Sequence, residues 1–314
     1  MAGGFQTAVS AVQAPAREGD FCDSNPRASV NAGPGGLVCG ASGITIGRFA
    51  WWAPPLDVNG TPTVANNFGA GAPTGFVHGE MQGLNTVYMS NAGMLVPAGF
   101  PITLMKGGGF WVKNNGTTEA LLGQKAYADL ATGKISFGPT GSPATGASVT
   151  AAIAASTGSF TGSISGDVLT ITAVGSGVAV PGGTLSGTNV ATGTMIVNQL
   201  TGTAGGIGTY RVNIPEQTVA STTISETYGT MTVSAVGSGV LAINDSLSGT
   251  NVVVGTTLTA FGTGTGGTGT YIVNNNTVVG STTITAASNV ETKWFAMSTG
   301  LPGELVKMVS QPNG

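Results

Sequence analysis

The sequence predicts an all-β protein: a jelly-roll or barrel-like antiparallel core, an extended N-terminal arm and an inserted lobe of two β repeats. Three observations carry that expectation. Apolar and β-branched residues alternate with Ser and Thr in several runs, the period of a strand with one buried face. Glycine is abundant, 53 of 314 residues, and its clusters punctuate those runs as turns do. Helical patterns are scarce. The best of them, His78–Met89 (HGEMQGLNTVYM), holds Gly83 in its middle, which costs a helix about 1 kcal/mol relative to Ala.

Residues 1–36 are punctuated by Pro15, Pro26 and Pro34 and close on Gly33-Pro34-Gly35-Gly36. Proline holds itself and its predecessor in extended geometry, so this segment is expected to be an arm. Its apolar residues Phe5, Val9, Val12 and Phe21 follow no strand or helix period. They are expected to pack on a partner; the plainer reading is an irregular edge crossing the core. Residues 37–141 and 289–314 share a style, with most of the charge, all four tryptophans and the one histidine. Gly43–Phe49, Phe110–Lys113, Lys134–Phe137 and Trp294–Met297 read as their core strands. The strands near Ile135 and Trp294 are expected to be neighbours in one sheet, so that the ends of the insertion leave the core together.

Residues 142–288 form the insertion. They hold no Lys, Trp, His or Cys, and their charged residues are Asp167, Arg211, Glu216, Glu226 and Asp245. TITAVGSGVAVPGGTLSGTNVATGT from Thr170 returns as TVSAVGSGVLAINDSLSGTNVVVGT from Thr232. TGTAGGIGTYRV matches GTGTGGTGTYIV, and STTI closes both copies at Ser221 and Ser281. The repeats span about 166–226 and 229–286. A unit of about 60 residues is only marginally stable alone, so the two are expected to pack together or against other copies of the chain.

Composition excludes several functions. Charged residues make up 7% of the chain and the net charge is -3, which argues against nucleic acid, whose phosphates demand clustered Lys and Arg. No apolar run approaches the roughly 20 residues that span a bilayer, and the start lacks a basic, then apolar, leader, so no membrane partner is expected, and the protein is expected to stay in the cytoplasm where it is made or in a particle assembled there. Cys22 and Cys39 are too few for a disulfide framework or a zinc site, and read as small apolar side chains. His78 stands in GFVHGE, without a nucleophile or metal-ligand spacing near it. Asp20 with Asp23, or Glu80 with Asp129, form acid pairs only if the fold joins them, and turn capping is the simpler reading. The glycine runs at 33–36 and 107–109, and the Gly133-Lys134 pair, lack the ending of a phosphate loop. Arg48, beside Phe49, Trp51 and Trp52, is expected to make a cation–π contact, and Arg27 in NPRASV is the other cation of interest. No cofactor and no catalytic residue are expected, hence no enzyme.

EGDFCDSNPRASVNAGPGGLVCGASGITIGRFAWW, PTGFVHGEMQ, MLVPAGFPITLMKGGGFWVKNNGTTEALLGQKAYADLATGKISF and ETKWFAMSTGLPGELVKMVS resemble the structural cement proteins of tailed bacteriophages, across nearly all of residues 15–141 and 290–310. The repeats resemble β-rich modules of many phage structural proteins. The resemblance implies a β-barrel or jelly-roll protein seated as a homodimer or homotrimer on the outside of the major capsid protein, stabilising the head, with no catalytic residues to carry over. The insertion between Phe137 and Trp294 departs from the family. The expected function is therefore capsid decoration, with Phe5, Val9, Val12, Phe21, Asn25, Pro26 and Arg27 as capsid contacts. The alternative is a virion adhesion module whose lobe binds host-surface glycans.

Overall fold

The computed structural model describes residues 16–33, 36–57, 59–80 and 93–311. Among them it is built from strands, with no helix. Along the chain these are β1 (Ala28–Ser29), β2 (Leu37–Cys39), β3 (Ile44–Thr45), β4 (Phe49–Leu56), β5 (Pro62–Asn66), β6 (Gly75–Val77), β7 (Leu95–Val96) and β8 (Pro101–Ile102). Then come β9 (Leu104–Gly107), β10 (Gly109–Lys113), β11 (Lys125–Asp129), β12 (Ile135–Gly138), β13 (Thr145–Gly166), β14 (Val168–Ser176), β15 (Thr184–Gly187) and β16 (Ile196–Gly202). The last are β17 (Gly208–Val212), β18 (Gln217–Gly239), β19 (Ser246–Gly249), β20 (Leu258–Phe261), β21 (Gly269–Val273), β22 (Val279–Ala287), β23 (Asn289–Ala296) and β24 (Leu305–Val309). The protein is all-β, with curled, mainly antiparallel sheets that include a half-barrel. It divides into two units, one of residues 1–53, 63–143 and 290–314, the other of residues 54–62 and 144–289.

In the first unit, one sheet runs β1-β9-β6-β4-β5-β2-β8 and another β10-β24-β23-β11-β12. Side chains of a strand alternate between faces, and the middle of the longer sheet is covered on both. Phe49, Trp51, Phe76 and Met105 enter one core with Phe110, Val112, Ile135, Trp294 and Met308 of the shorter sheet. Their neighbours Ala50, Val77 and Leu104 enter a second core with Leu37, Ile44, Ile46 and Val96. Strands buried on both faces read as unbroken apolar runs, which is why GFV at 75–77 and FAW at 49–51 show no alternation. Phe76 lies at the centre of the first core, 4.7 Å from Phe110, 6.0 Å from Phe49 and 6.3 Å from Trp294 between ring centroids. Burial of each such ring contributes about 1.5–3 kcal/mol.

Two expectations are corrected here. Gly43–Phe49 is not one strand: β3 ends at Thr45, a turn through Gly47 follows, and β4 starts at Phe49. Ile135 and Trp294 share a sheet but are not on neighbouring strands, because β11 hairpins onto β12 and takes the place beside it. β23 then docks on the far edge of β11, with Thr292 Oγ1 donating to the Ala126 carbonyl at 2.7 Å. The first unit passes the chain out at Pro143 and receives it at Val290. There Gly141 N–H donates to Glu291 Oε2 at 2.6 Å.

The second unit is a pair of matching modules strung on two long strands, β13 and β18, which pair antiparallel along most of their length. The first module packs Leu169, Ile171, Leu185, Ile196, Tyr210, Val212, Val219 and Ile224 around Phe160 and Ile164 of β13. The second packs the corresponding Met231, Val233, Leu247, Leu258, Tyr271, Val273, Val279 and Ile284 around Val149, Ala151 and Ile153. The first half of β18 closes one module and its second half opens the next. Buried residues of β13 are odd-numbered from Ala147 to Ile153 and even-numbered from Gly158 to Ile164. The pairing of β13 with β18 runs without a bulge from Ala151↔Val233 to Gly162↔Thr222. A strand that changes its buried parity without a bulge has changed its buried face. The two module cores therefore lie on opposite faces of the β13–β18 ribbon.

Candidate functional site

The described part of the arm runs along the edge of the first unit. Gly19 N–H donates to the Trp111 carbonyl at 2.8 Å, Trp111 N–H to the Asp20 carbonyl at 2.8 Å, and Cys22 N–H to the Gly109 carbonyl at 3.1 Å. β1 then pairs with β9, and Val30 N–H donates to the Leu104 carbonyl at 2.8 Å. Unpaired backbone groups of β10 and β9 draw the segment in, since an edge strand offers free donors and acceptors.

This pairing turns Phe21 inward. Its ring lies 4.0 Å from the His78 ring and 5.2 Å from Phe110 between centroids, and the Arg27 guanidinium covers it at 3.4 Å. Arg27 Nη2 also donates to the Asp23 carbonyl at 3.0 Å, and Asn25 N–H donates to Asp23 Oδ1 at 3.1 Å, closing a turn. Phe21 is half-buried and packs part of its ring on the chain's own core. Pro26 and Arg27 stand exposed on the same turn and Asn25 is half-buried. Phe5, Val9 and Val12 lie outside the described residues, as does most of His78–Met89. The cation–π contact of the segment belongs to Arg27; Arg48 points instead to the Thr132 carbonyl, at 3.4 Å.

The groups weighed for chemistry take other positions. His78 Nδ1 lies 3.1 Å from the Gly19 carbonyl oxygen, which accepts, so the proton sits on Nδ1. Asp129 Oδ1 accepts from Thr132 N–H at 2.8 Å and Thr132 Oγ1 at 2.6 Å, a turn cap. Asp20 Oδ2 accepts from Arg17 N–H at 3.0 Å, and Glu80 Oε2 from Thr103 Oγ1 at 3.4 Å. Burial, with the Asp23 charge, pushes the Cys22 thiol up to about 11, and burial pushes Cys39 up to about 11, so both are protonated near neutral pH. Among the described residues no three His, Cys, Asp or Glu gather as metal ligands. No helix there is long and apolar enough to cross a membrane.

One cluster has no signature in the sequence. Arg48, at the turn into β4, Lys113, at the end of β10, and Lys134, beside β12, line a recess of about 420 Å³ with Glu18, Asn114, Asn115, Gly116 and Gly303. Burial raises the Glu18 carboxyl above its ordinary 4.5, against the pull of Arg48, Lys113 and Lys134. Gly47, with φ +81°, admits Glu18: a Cβ there would collide with the glutamate side chain.

The geometry describes a protein of surfaces: a laced edge, a cationic recess and two modules rich in exposed Thr and Ser. Residues 5–175 match the family model described as XM1 gp53 minor capsid protein, ending inside β14. The match covers more than half of the chain, and the chain belongs to that family of phage minor capsid proteins. This makes it a structural protein of the virion, associated with the capsid. No curated protein matches the chain.

Proposed function

We propose that the chain is a decoration protein that seats its first unit on the outer face of the major capsid shell as a homo-oligomer, with residues 144–289 as an outward lobe. The observation that supports this reading is the family match, which spans residues 5–175 and so takes in most of the first unit. No step of the function calls for a cofactor or a catalytic residue. Seven residues are assigned to the contact: Phe5, Val9 and Val12 of the arm and Asn25, Pro26 and Arg27 of the exposed turn directly, and Phe21 by holding Arg27 in place.

The test is reconstitution. Shells of the major capsid protein lacking this chain should take it up at symmetry-related outer positions in electron micrographs. Removal of residues 1–15 should leave the chain folded and weaken uptake. Binding confined to the tail of complete particles would overturn the reading. It would favour the second one, adhesion to host-surface glycans through the lobe, which the Thr- and Ser-rich strand faces of both modules support. A glycan array probed with the full chain separates the two.

A further inference from the structure

We propose that the recess formed by Arg48, Lys113 and Lys134 around Glu18 receives a carboxylate side chain of the capsid shell, an inference that rests on the decoration reading above. The chain has 10 Lys and Arg residues and a net charge of -3. Three of those ten line this one recess, whose single acid is Glu18. The ion pairs among the described residues are Arg17–Asp20, Lys125–Glu291 and Arg211–Asp167, so none of the three cations is in one. Among the described residues Arg48 makes a long hydrogen bond to the Thr132 carbonyl, at 3.4 Å, and faces Glu18. Three cations share the one carboxylate of Glu18, so like charges are left in excess and repel one another, which gains the fold nothing. An incoming anion removes the repulsion.

The walls are held rigidly. Asn114 is buried, its Nδ2 donating to the Thr118 carbonyl at 2.9 Å and the Gly300 carbonyl at 3.1 Å, while its Oδ1 accepts Gly116 N–H at 3.0 Å. Asn114 N–H donates to the Glu304 carbonyl and Asn115 N–H to the Ile135 carbonyl, at 2.9 and 2.7 Å. The loop that carries Lys113 is thus pinned to β12, beside Lys134, before any ligand arrives. Such preorganisation reduces the ordering cost of binding. The observations favour a compact carboxylate over a nucleic acid, which needs a stripe of cations along its backbone rather than one cluster. Three cations less one glutamate leave a net charge of +2, enough for one or two acidic side chains of a partner protein.

Glu18 gives the inference a sign. It competes with the incoming carboxylate, so Glu18→Gln should tighten binding, which a structural role for the cluster does not predict. Uptake by shells lacking the chain should weaken about tenfold in Lys113→Ala/Lys134→Ala, both exposed positions, and improve about threefold in Glu18→Gln. Lys106→Ala/Lys293→Ala removes the same charge elsewhere in the first unit and should stay within about twofold. Equal losses in the two double variants, or none in the first, overturn the inference while leaving the decoration reading intact. If the wild-type chain fails to bind shells, the decoration reading fails. The recess is then judged by titration with a triglutamate peptide at low salt, followed by the amide resonances of Asn115 and Gly116. Shifts that vanish in Lys113→Ala/Lys134→Ala support a carboxylate site. Absence of shifts, or displacement of the peptide by equimolar inorganic phosphate, overturns it.

Discussion

In the first module a carboxylate reaches the turn before β15 from across the sheet; in the second it stands in the turn itself. Glu226 on β18 accepts Val180 N–H through Oε1 at 3.1 Å. In the second module Asp245 Oδ2 accepts Ala242 N–H, the matching amide, at 2.8 Å. The pairings Leu185↔Glu226 and Leu247↔Ala286 show that Glu226 and Ala286 occupy one position. Gly183 stands where the other copy has Asp245, and a Cβ at 183 would collide with the Glu226 carboxylate. The two copies differ at both positions, yet each keeps one buried carboxyl oxygen as acceptor for the turn amide. What is maintained is the hydrogen bond to the turn, because a buried amide without an acceptor costs about 1–3 kcal/mol. Which strand supplies the acceptor is free to vary.

The comparison can be broken most severely at Gly183. Gly183→Asp alone puts two carboxylates and an extra side chain into one buried space, and we expect a loss of about 3–5 kcal/mol. Adding Glu226→Ala rebuilds the arrangement of the second module, and the double variant should return to within about 1 kcal/mol of the wild type. Chemical denaturation followed by far-ultraviolet circular dichroism measures both, since the tryptophans lie outside residues 144–289. A double variant as unstable as the worse single one would sink the equivalence of the two carboxylates.

Protonation provides the next test. Burial pushes Glu226 up to about 8, against an ordinary 4.5, and its Oε2 has no partner among the described residues. A carboxyl raised in the folded state binds its proton more tightly there than in the unfolded chain. Stability is then full below pH 4.5 and falls as pH rises toward about 8, by an amount on the order of a few kcal/mol. Glu226→Gln should flatten that slope. The protection of the Val180 amide, taken relative to the intrinsic exchange rate at each pH, should fall through the same pH range while that of Ala242 holds; parallel loss of protection at the two amides would count against the assignment.

Smaller differences sharpen the contrast. Tyr271 Oη accepts Gly266 N–H at 2.8 Å and donates to the Gly267 carbonyl at 2.7 Å, whereas Tyr210 Oη donates to the Gly206 carbonyl at 2.6 Å. Tyr271→Phe should therefore cost about 1 kcal/mol more than Tyr210→Phe in the same denaturation experiment. The amide that reaches the turn hydroxyl also differs. Gln217 bonds the Ala191 N–H, Thr194 Oγ1 and the Ile214 carbonyl, whereas Asn275 in the second module bonds Thr256 Oγ1 at 3.1 Å. Gln217→Ala should cost about 2 kcal/mol and Asn275→Ala about half that. The smallest effect belongs to Asn189 and Asn251, both at φ 63°, where replacement by Gly should change stability by only a few tenths of a kcal/mol in either module.

Much of this was legible before any coordinates. Leu169 and Ile171, and Met231 and Val233, alternate with hydroxyl residues because a one-sided strand imposes period two on its own sequence. The repeat itself marks two like units, and SGTNV turns recur because left-handed backbone selects Asn and Gly locally. The inward turn of Phe21 was not legible, because the free edge of β10 that captures it lies far along the chain. Nor was the recess: Glu18, Arg48, Lys113 and Lys134 sit on four separate segments, and only the turn at Gly47 and the pinned loop at Asn114 bring their charges together. Sequence alone determined the alternating strands and the turns of the repeats, since each is set by residues within a few positions of one another, whereas the module cores join β13 to residues far along the chain. The tertiary structure alone decided that β13 buries odd residues up to Ile153 and even residues from Gly158. That switch depends on which partner strands cover each face, a long-range choice that local alternation cannot encode.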